Sequence, residues 1–377
     1  MKIPVDMKSI MKAVEETEES RSLPFSMQIY LDDAAAPELR EDMLNCFSTD
    51  VPNADVSFDF YGGTYELPKK DVDLALVAAG PSTTSAYLYH GLLAAGYPTM
   101  VVTLCPNLLT KIASLASMEM DASDVVSPAP ATTLPAENEP QPFDDAAKEK
   151  LHYQMALWFM TCYPEKRLSY ASAFPFFRRA MSLDCVKSTA IQNAGIGFVA
   201  FIPGADMPLM TMNEAKMLMQ IAAAYGQPVG KERLKELAAV VGSGFLFRKI
   251  ARSAVGLVPA LGWVAKAGVG YAGTLSLGYA LIEYFEEGGD VSALCNKAAF
   301  VGRQYLTGEK KLALPSDFEE AKTNALNAVG DASKKIVPIA KGFAEVLSNN
   351  GMDGDKVAKA AGFAVETVLA GALSKLR

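Results

Sequence analysis

Between Ser26 and about Val126, short apolar runs alternate with longer stretches patterned for helices. The runs are Met27–Leu31, Val56–Phe60, Leu74–Ala79 and Met100–Leu104, with a weaker one at Asp124–Val126. Helical spacing falls at Pro37–Phe47, Thr83–Ala95 and Leu108–Met118. Strands that alternate with helices predict a parallel sheet covered by helices. A polar stretch carrying Pro128, Pro130, Pro135, Pro140 and Pro142 then reads as a linker. Beyond Phe143 strand signals vanish, and helices are expected at Asp144–Tyr163, Tyr170–Ser188, Thr189–Phe201, Met212–Tyr225 and Gly230–Val241. Thr211-x-x-Glu214 and Ser316-x-x-Glu319 have the form of capping boxes, and a last helix from about Asp355 aligns Val357, Ala361, Ala364, Val368 and Ala372. The expected fold class is α/β plus all-α, a small parallel-sheet domain followed by a larger helical domain. Its divisions are a polar, mobile or helical lead-in (1–25), the α/β domain (26–127), the linker (128–142), the helical domain (143–310) and C-terminal helices (311–377).

One segment departs from this pattern. Ala254–Tyr284 carries a single charge before Glu283, Lys266, and is dense in glycine. Its length suits a membrane span of about 20 residues, and its small residues suit close helix contact in lipid. Pro259, Lys266 and the glycines favour a packed helical hairpin, split near Gly268–Gly270, over one clean span. The competing expectation is a pair of buried helices in a soluble bundle.

Composition narrows the chemistry. The net charge of −8 excludes nucleic acid as the main partner. Hydrophobic residues make up 50% and charged residues 21%, too apolar for a disordered chain. The mean hydropathy of +0.13 leaves membrane contact open. Cys46, Cys105, Cys162, Cys185 and Cys295 lie far apart, with neither a zinc spacing nor a disulfide framework, as suits a reducing cytoplasm. Met1–Arg21 lacks the apolar core of a signal peptide. With only His90 and His152, a histidine-based triad or metal site has little material. No catalytic residue, cofactor or metal is expected.

The α/β half departs from nucleotide-binding patterns at each motif. A P-loop requires GxxxxGKS/T after the first strand, so that backbone N–H groups and a lysine hold phosphate. Met27–Leu31 instead leads into Asp32-Asp33-Ala34-Ala35-Ala36-Pro37, with no glycine, no lysine and two acids that repel phosphate. Asp59-Phe60-Tyr61-Gly62 matches the DxxG pattern, which makes Asp59 and Gly62 candidate site residues. After the strand at Met100–Leu104, the place of the guanine-reading NKxD is taken by Cys105-Pro106-Asn107-Leu108. This half resembles an Era-like GTPase domain whose nucleotide motifs have decayed. An unrelated small α/β domain remains the alternative.

The second half carries a more specific likeness. It lies in Leu168-Ser169-Tyr170-Ala171, Ser188-Thr189-Ala190-Ile191-Gln192-Asn193-Ala194, Ile202-Pro203-Gly204-Ala205-Asp206-Met207-Pro208-Leu209-Met210-Thr211 and Val258-Pro259-Ala260-Leu261-Gly262-Trp263. Over roughly Phe143–Tyr305 the chain resembles the YcjF-like, GTPase-associated helical domain of unknown function found in bacteria. Glu214 departs from the glutamine that relatives tend to carry, and the cap survives the change. The resemblance implies a helical domain that works with a GTPase-like module, often at a membrane, and implies no known reaction.

Four further residues are weighed as structural or interaction sites. Asp206 is expected in a loop before the Thr211 cap, bonding backbone N–H groups, with a cation or an arginine such as Arg248 or Arg252 as the functional alternative. Arg248 and Arg252 share a helix face, either solvated or meeting anionic headgroups, and Lys266 would sit at headgroup level. The expected function is a non-catalytic interaction or scaffold protein in the cytoplasm, at the inner face of the membrane if it meets lipid. Its expected partners are a protein, GTPases included, and membrane lipid. The alternatives are a nucleotide-binding switch or hydrolase whose atypical phosphate loop is Gly62-Gly63 or Gly80-Pro81-Ser82-Thr83, and a fully soluble helical scaffold.

Overall fold

The computed structural model describes residues 7–129, 140–199, 206–230 and 262–288. The first half is an α/β layer of β1 (Phe25–Asp32), α2 (Pro37–Cys46), β2 (Ala54–Tyr61), β3 (Leu74–Ala78), α3 (Thr83–Ala94), β4 (Thr99–Val102), α4 (Pro106–Leu115) and β5 (Val125–Val126), preceded by helix α1 (Met7–Arg21). The five strands form one sheet in the order β2-β1-β3-β4-β5, and every pairing is parallel. β3 and β4 are buried at every residue, which is why they read as uninterrupted apolar runs. β2 alternates at the sheet edge, with Ala54, Val56 and Phe58 half-buried and Asp55, Ser57 and Asp59 exposed. Proline opens both α2 and α4, where its missing N–H costs no hydrogen bond.

The helices divide between the two faces of the sheet. Leu39, Met43 and Phe47 cover one face, together with residues of α5 (Asp145–Cys162). Leu88, Tyr89 and Leu92 of α3 and Leu109 of α4 cover the other. The β2-to-β3 crossover, residues 62–73, contains no helix. A parallel crossover usually carries one, so among the described residues the face of β1 and β2 on the α3 side has only this loop above it.

The helical half contains α5, a 3₁₀ turn at Pro164–Lys166, α6 (Arg167–Ala173), α7 (Phe177–Val199), α8 (Asp206–Ala224) and α9 (Gly262–Glu287). Its core continues into that of the sheet through Phe25, Phe47, Phe159, Tyr170, Phe174 and Phe177, whose rings meet edge-on or tilted. Helix α1 packs on this half rather than on the sheet. Ile10, Ala13 and Val14 are buried, Lys216 pairs with Glu16, and Arg21 donates to the Gln227 carbonyl.

Several helix limits differ from expectation. The Tyr170–Ser188 and Thr189–Phe201 segments resolve into α6 and one long α7, separated at Phe174-Pro175-Phe176. Helix α8 begins at Asp206, so Thr211 and Glu214 are buried inside it and form no N-terminal cap. The reason is Pro208, tolerated in a first turn whose N–H groups have no intrahelical acceptor. Asp206 is therefore the first helical residue and not part of a loop.

The expected hairpin near Gly268–Gly270 is also corrected, because α9 runs without a break from Gly262 to Glu287, Lys266 included. Its buried residues Thr274, Leu275, Leu277, Ala280, Leu281 and Ile282 pack within the bundle, chiefly on α7. A Cβ on Gly278 would lie 2.3 Å from Val186 Cγ2, so the glycine permits the close approach of the two helices. Asn193 Nδ2 donates to Thr274 Oγ1 at 2.9 Å, and Arg179 pairs with Glu286. Among the described residues no helix is long and apolar enough to cross a membrane. The helices expected at Gly230–Val241, after Ser316 and from Asp355, with Arg248 and Arg252, lie outside the described residues.

Candidate functional site

In an open parallel sheet, ligands bind beyond the carboxyl ends of the strands where the strand order reverses. Here β1 sends its chain outward to β2 on one side, while β3 leads to β4 on the other, which places the crevice between the ends of β1 and β3. Asp32 closes β1, and the Gly80–Ser82 loop follows β3 and leads into α3.

The crevice is filled by the protein itself. Asp32 is 1% exposed. Its Oδ2 accepts from the Gly80 N–H (3.1 Å), the Ser82 hydroxyl (2.9 Å) and the Ser85 hydroxyl (2.7 Å), and its Oδ1 accepts from the Ala34 N–H (2.9 Å). Ser82 is the N-cap of α3 and accepts from the Ser85 N–H. With the Ser85 proton committed to Asp32, the Tyr61 hydroxyl donates to Ser85 Oγ at 2.8 Å. Burial, and the charge of Asp32 beside it, push the Tyr61 phenol up and keep it a donor.

A helix N-terminus after a parallel strand is a ready anion site. The anion at this one is Asp32. The loop Gly80-Pro81-Ser82-Thr83, considered above as an atypical phosphate loop, therefore spends its Gly80 N–H and Ser82 hydroxyl on a side chain. The two loops also approach closely, since a Cβ on Gly80 would lie 2.2 Å from the Ala34 carbonyl carbon and 2.6 Å from the Ala35 nitrogen. Asp33, the second acid of the β1 loop, points outward to Arg40 at 3.5 Å.

A separate cleft of about 620 Å³ opens over the helix-free face of β1 and β2. Gln28, Tyr30, Asp55, Asp59, Lys69 and Lys70 contribute to its lining. Gln28 Nε2 donates to Asp59 Oδ2 at 3.2 Å, and the Tyr30 hydroxyl donates to the Glu66 carbonyl, which ties the crossover loop across the sheet. Tyr65 and Leu67 of that loop lie against Gly91 of α3. Phe60 and Leu67 stay 62% and 42% exposed beside the cleft.

The structure thus separates the expected site residues. Asp59 lies within β2 and faces the cleft. Gly62 follows the strand beside Asp33, so close that a Cβ on it would lie 3.0 Å from Asp33 Oδ2. Asp206 opens α8 and Lys266 lies in α9, so neither belongs to the α/β site. Sequence reasoning misses Ser85 and Tyr61 as members of the Asp32 network. The only signal for it in the chain is an acid at the end of the first strand and serines at the start of the helix after the third.

Comparison with known proteins adds one finding. Residues 170–306 match the family model of a domain of unknown function (DUF697), and they overlap the helical stretch identified above by resemblance. No curated protein and no solved structure matches the chain significantly.

Proposed function

We propose that this chain is a non-catalytic interaction protein, an α/β module descended from an Era-like GTPase and joined to a YcjF-like helical domain. The observation that carries the reading is the Asp32 carboxylate, which takes up the Gly80 and Ala34 N–H groups and the Ser82 and Ser85 hydroxyls at the switch point. A bound phosphate would have to displace a buried anion and separate the Gly80 and Ala34 backbones. Among the described residues, a surface open to recognition is the cleft over β1 and β2, with Asp55 and Asp59 on its sheet face and Phe60 and Leu67 exposed at its side. The partner is a protein, with GTPases among the candidates. Lipid contact, in this reading, falls to Arg248, Arg252 and the part of Ala254–Tyr284 before Thr274, because the later part is taken up by packing on α7.

Phosphate release from GTP and ATP in the presence of Mg²⁺ tests the absence of chemistry. The full chain is expected to release phosphate no faster than buffer. Release proportional to chain concentration, and lost on Ser85→Ala, would make the protein a hydrolase.

A further inference from the structure

Away from the sheet crevice, Asp42, Cys46 and His152 bring a carboxylate oxygen, the thiol sulfur and an imidazole nitrogen within 4.8 Å of one another. Asp42 and Cys46 are four residues apart in the last turn of α2, so they share one face of the helix. His152 reaches them from α5, and its Nε2 lies 2.7 Å from Asp42 Oδ2. The Asp42 and His152 side chains are 10% and 20% exposed. Phe176 packs against the imidazole, with ring centroids 5.0 Å apart. Among the described residues the Cys46 sulfur makes one long contact, donating to the Met43 carbonyl at 3.8 Å.

The geometry points to a divalent transition-metal site, of zinc type, held by Asp42, Cys46 and His152 with solvent in the fourth position. Thiolate, imidazole and carboxylate together are a ligand set for zinc, and three protein ligands leave one tetrahedral position open. Bonds of about 2.0 Å to nitrogen and oxygen and 2.3 Å to sulfur place neighbouring donors roughly 3.3–3.5 Å apart. The present grouping reaches that spacing when Asp42 and His152 exchange their mutual hydrogen bond for the metal and Cys46 closes inward. The bound metal would join α2, within the α/β layer, to α5, the first helix after the Pro-rich linker. A thiol ligates as the thiolate, so metal binding releases its proton to solvent and affinity rises with pH.

The test uses the full chain stripped of metal by a chelator, then titrated with Zn²⁺ against a competing chromophoric chelator and separately with Co²⁺. One zinc per chain is expected, with a higher melting temperature, tighter binding as pH rises, and a thiolate-to-cobalt charge-transfer band. Cys46→Ala should abolish that band, and Cys46→Ala and His152→Asn should each weaken zinc binding by at least about tenfold. Metal-free melts establish that each variant is folded, and Cys46→Ser or Asp42→Asn replaces one that is not. No zinc bound by the wild type, or zinc bound equally by folded variants, would overturn the assignment.

Discussion

Replacing Asp32 by alanine removes four hydrogen-bond acceptances from a buried position at once. The Ser82 and Ser85 hydroxyls lie 3.0 Å apart, and Ser85 also meets the Tyr61 hydroxyl, so these groups can pair again with each other. The Ala34 and Gly80 N–H groups lose their acceptor. At about 1–3 kcal/mol for each of these two buried donors left unsatisfied, Asp32→Ala should cost about 2–6 kcal/mol, toward the lower end if water enters the space. Asp32→Asn keeps the shape and can turn its oxygen toward the three donors on Oδ2. Its amide then faces the Ala34 N–H, for a cost of about 1–3 kcal/mol. Urea denaturation followed by tryptophan fluorescence measures both losses. Formate, which has the charge and size of the deleted carboxylate, should partly restore the alanine variant and leave the wild type unchanged. An Asp32→Ala loss below about 0.5 kcal/mol would refute the claim that this carboxylate organises the crevice.

Two further outcomes follow from the packing. Gly278→Ala should destabilise the bundle by about 1–3 kcal/mol, because the new methyl meets the stiff Val186 side chain, and a double variant with Val186→Ala should recover part of that loss in thermal melts. Additive losses would contradict the contact. Burial pushes the phenols of Tyr30, Tyr61, Tyr89 and Tyr170 up from the ordinary value of about 10. Because these folded-state values are raised, their contribution is fully present below about pH 10 and is lost as pH climbs beyond it. Tyrosinate absorbance from these four should therefore rise together with loss of far-ultraviolet circular dichroism, and full ionisation of a chain that is still folded would contradict their burial.

The α/β layer is legible because its signals are local. β3 and β4 are apolar throughout, proline marks the start of α2, and no helical spacing falls between Tyr61 and Leu74, although α4 begins at Pro106 and not at the expected Leu108. That last gap is the origin of the cleft, although the sequence alone does not reveal that a sheet face lies open beneath it. Longer-range pairings are hidden. Asp32 meets Ser85 from 53 positions away, and His152 meets Asp42 from 110, distances at which no spacing rule operates. The acids of the β1 loop are legible as hostile to phosphate, but not that one of them turns inward to replace it. Pro208 misleads in the other direction, suggesting the end of a loop when it lies in a first helical turn. The glycines of α9 suggest a break, whereas Gly278 serves close contact with Val186.

The central claim is that the switch-point crevice holds its own anion and leaves no place for a nucleotide. Calorimetric titration of the full chain with GTP and with ATP, each with and without Mg²⁺, tests it most directly. No saturable heat is expected at micromolar concentrations of any of the four. Micromolar, Mg²⁺-dependent binding that competes with the Asp32 contacts would contradict it.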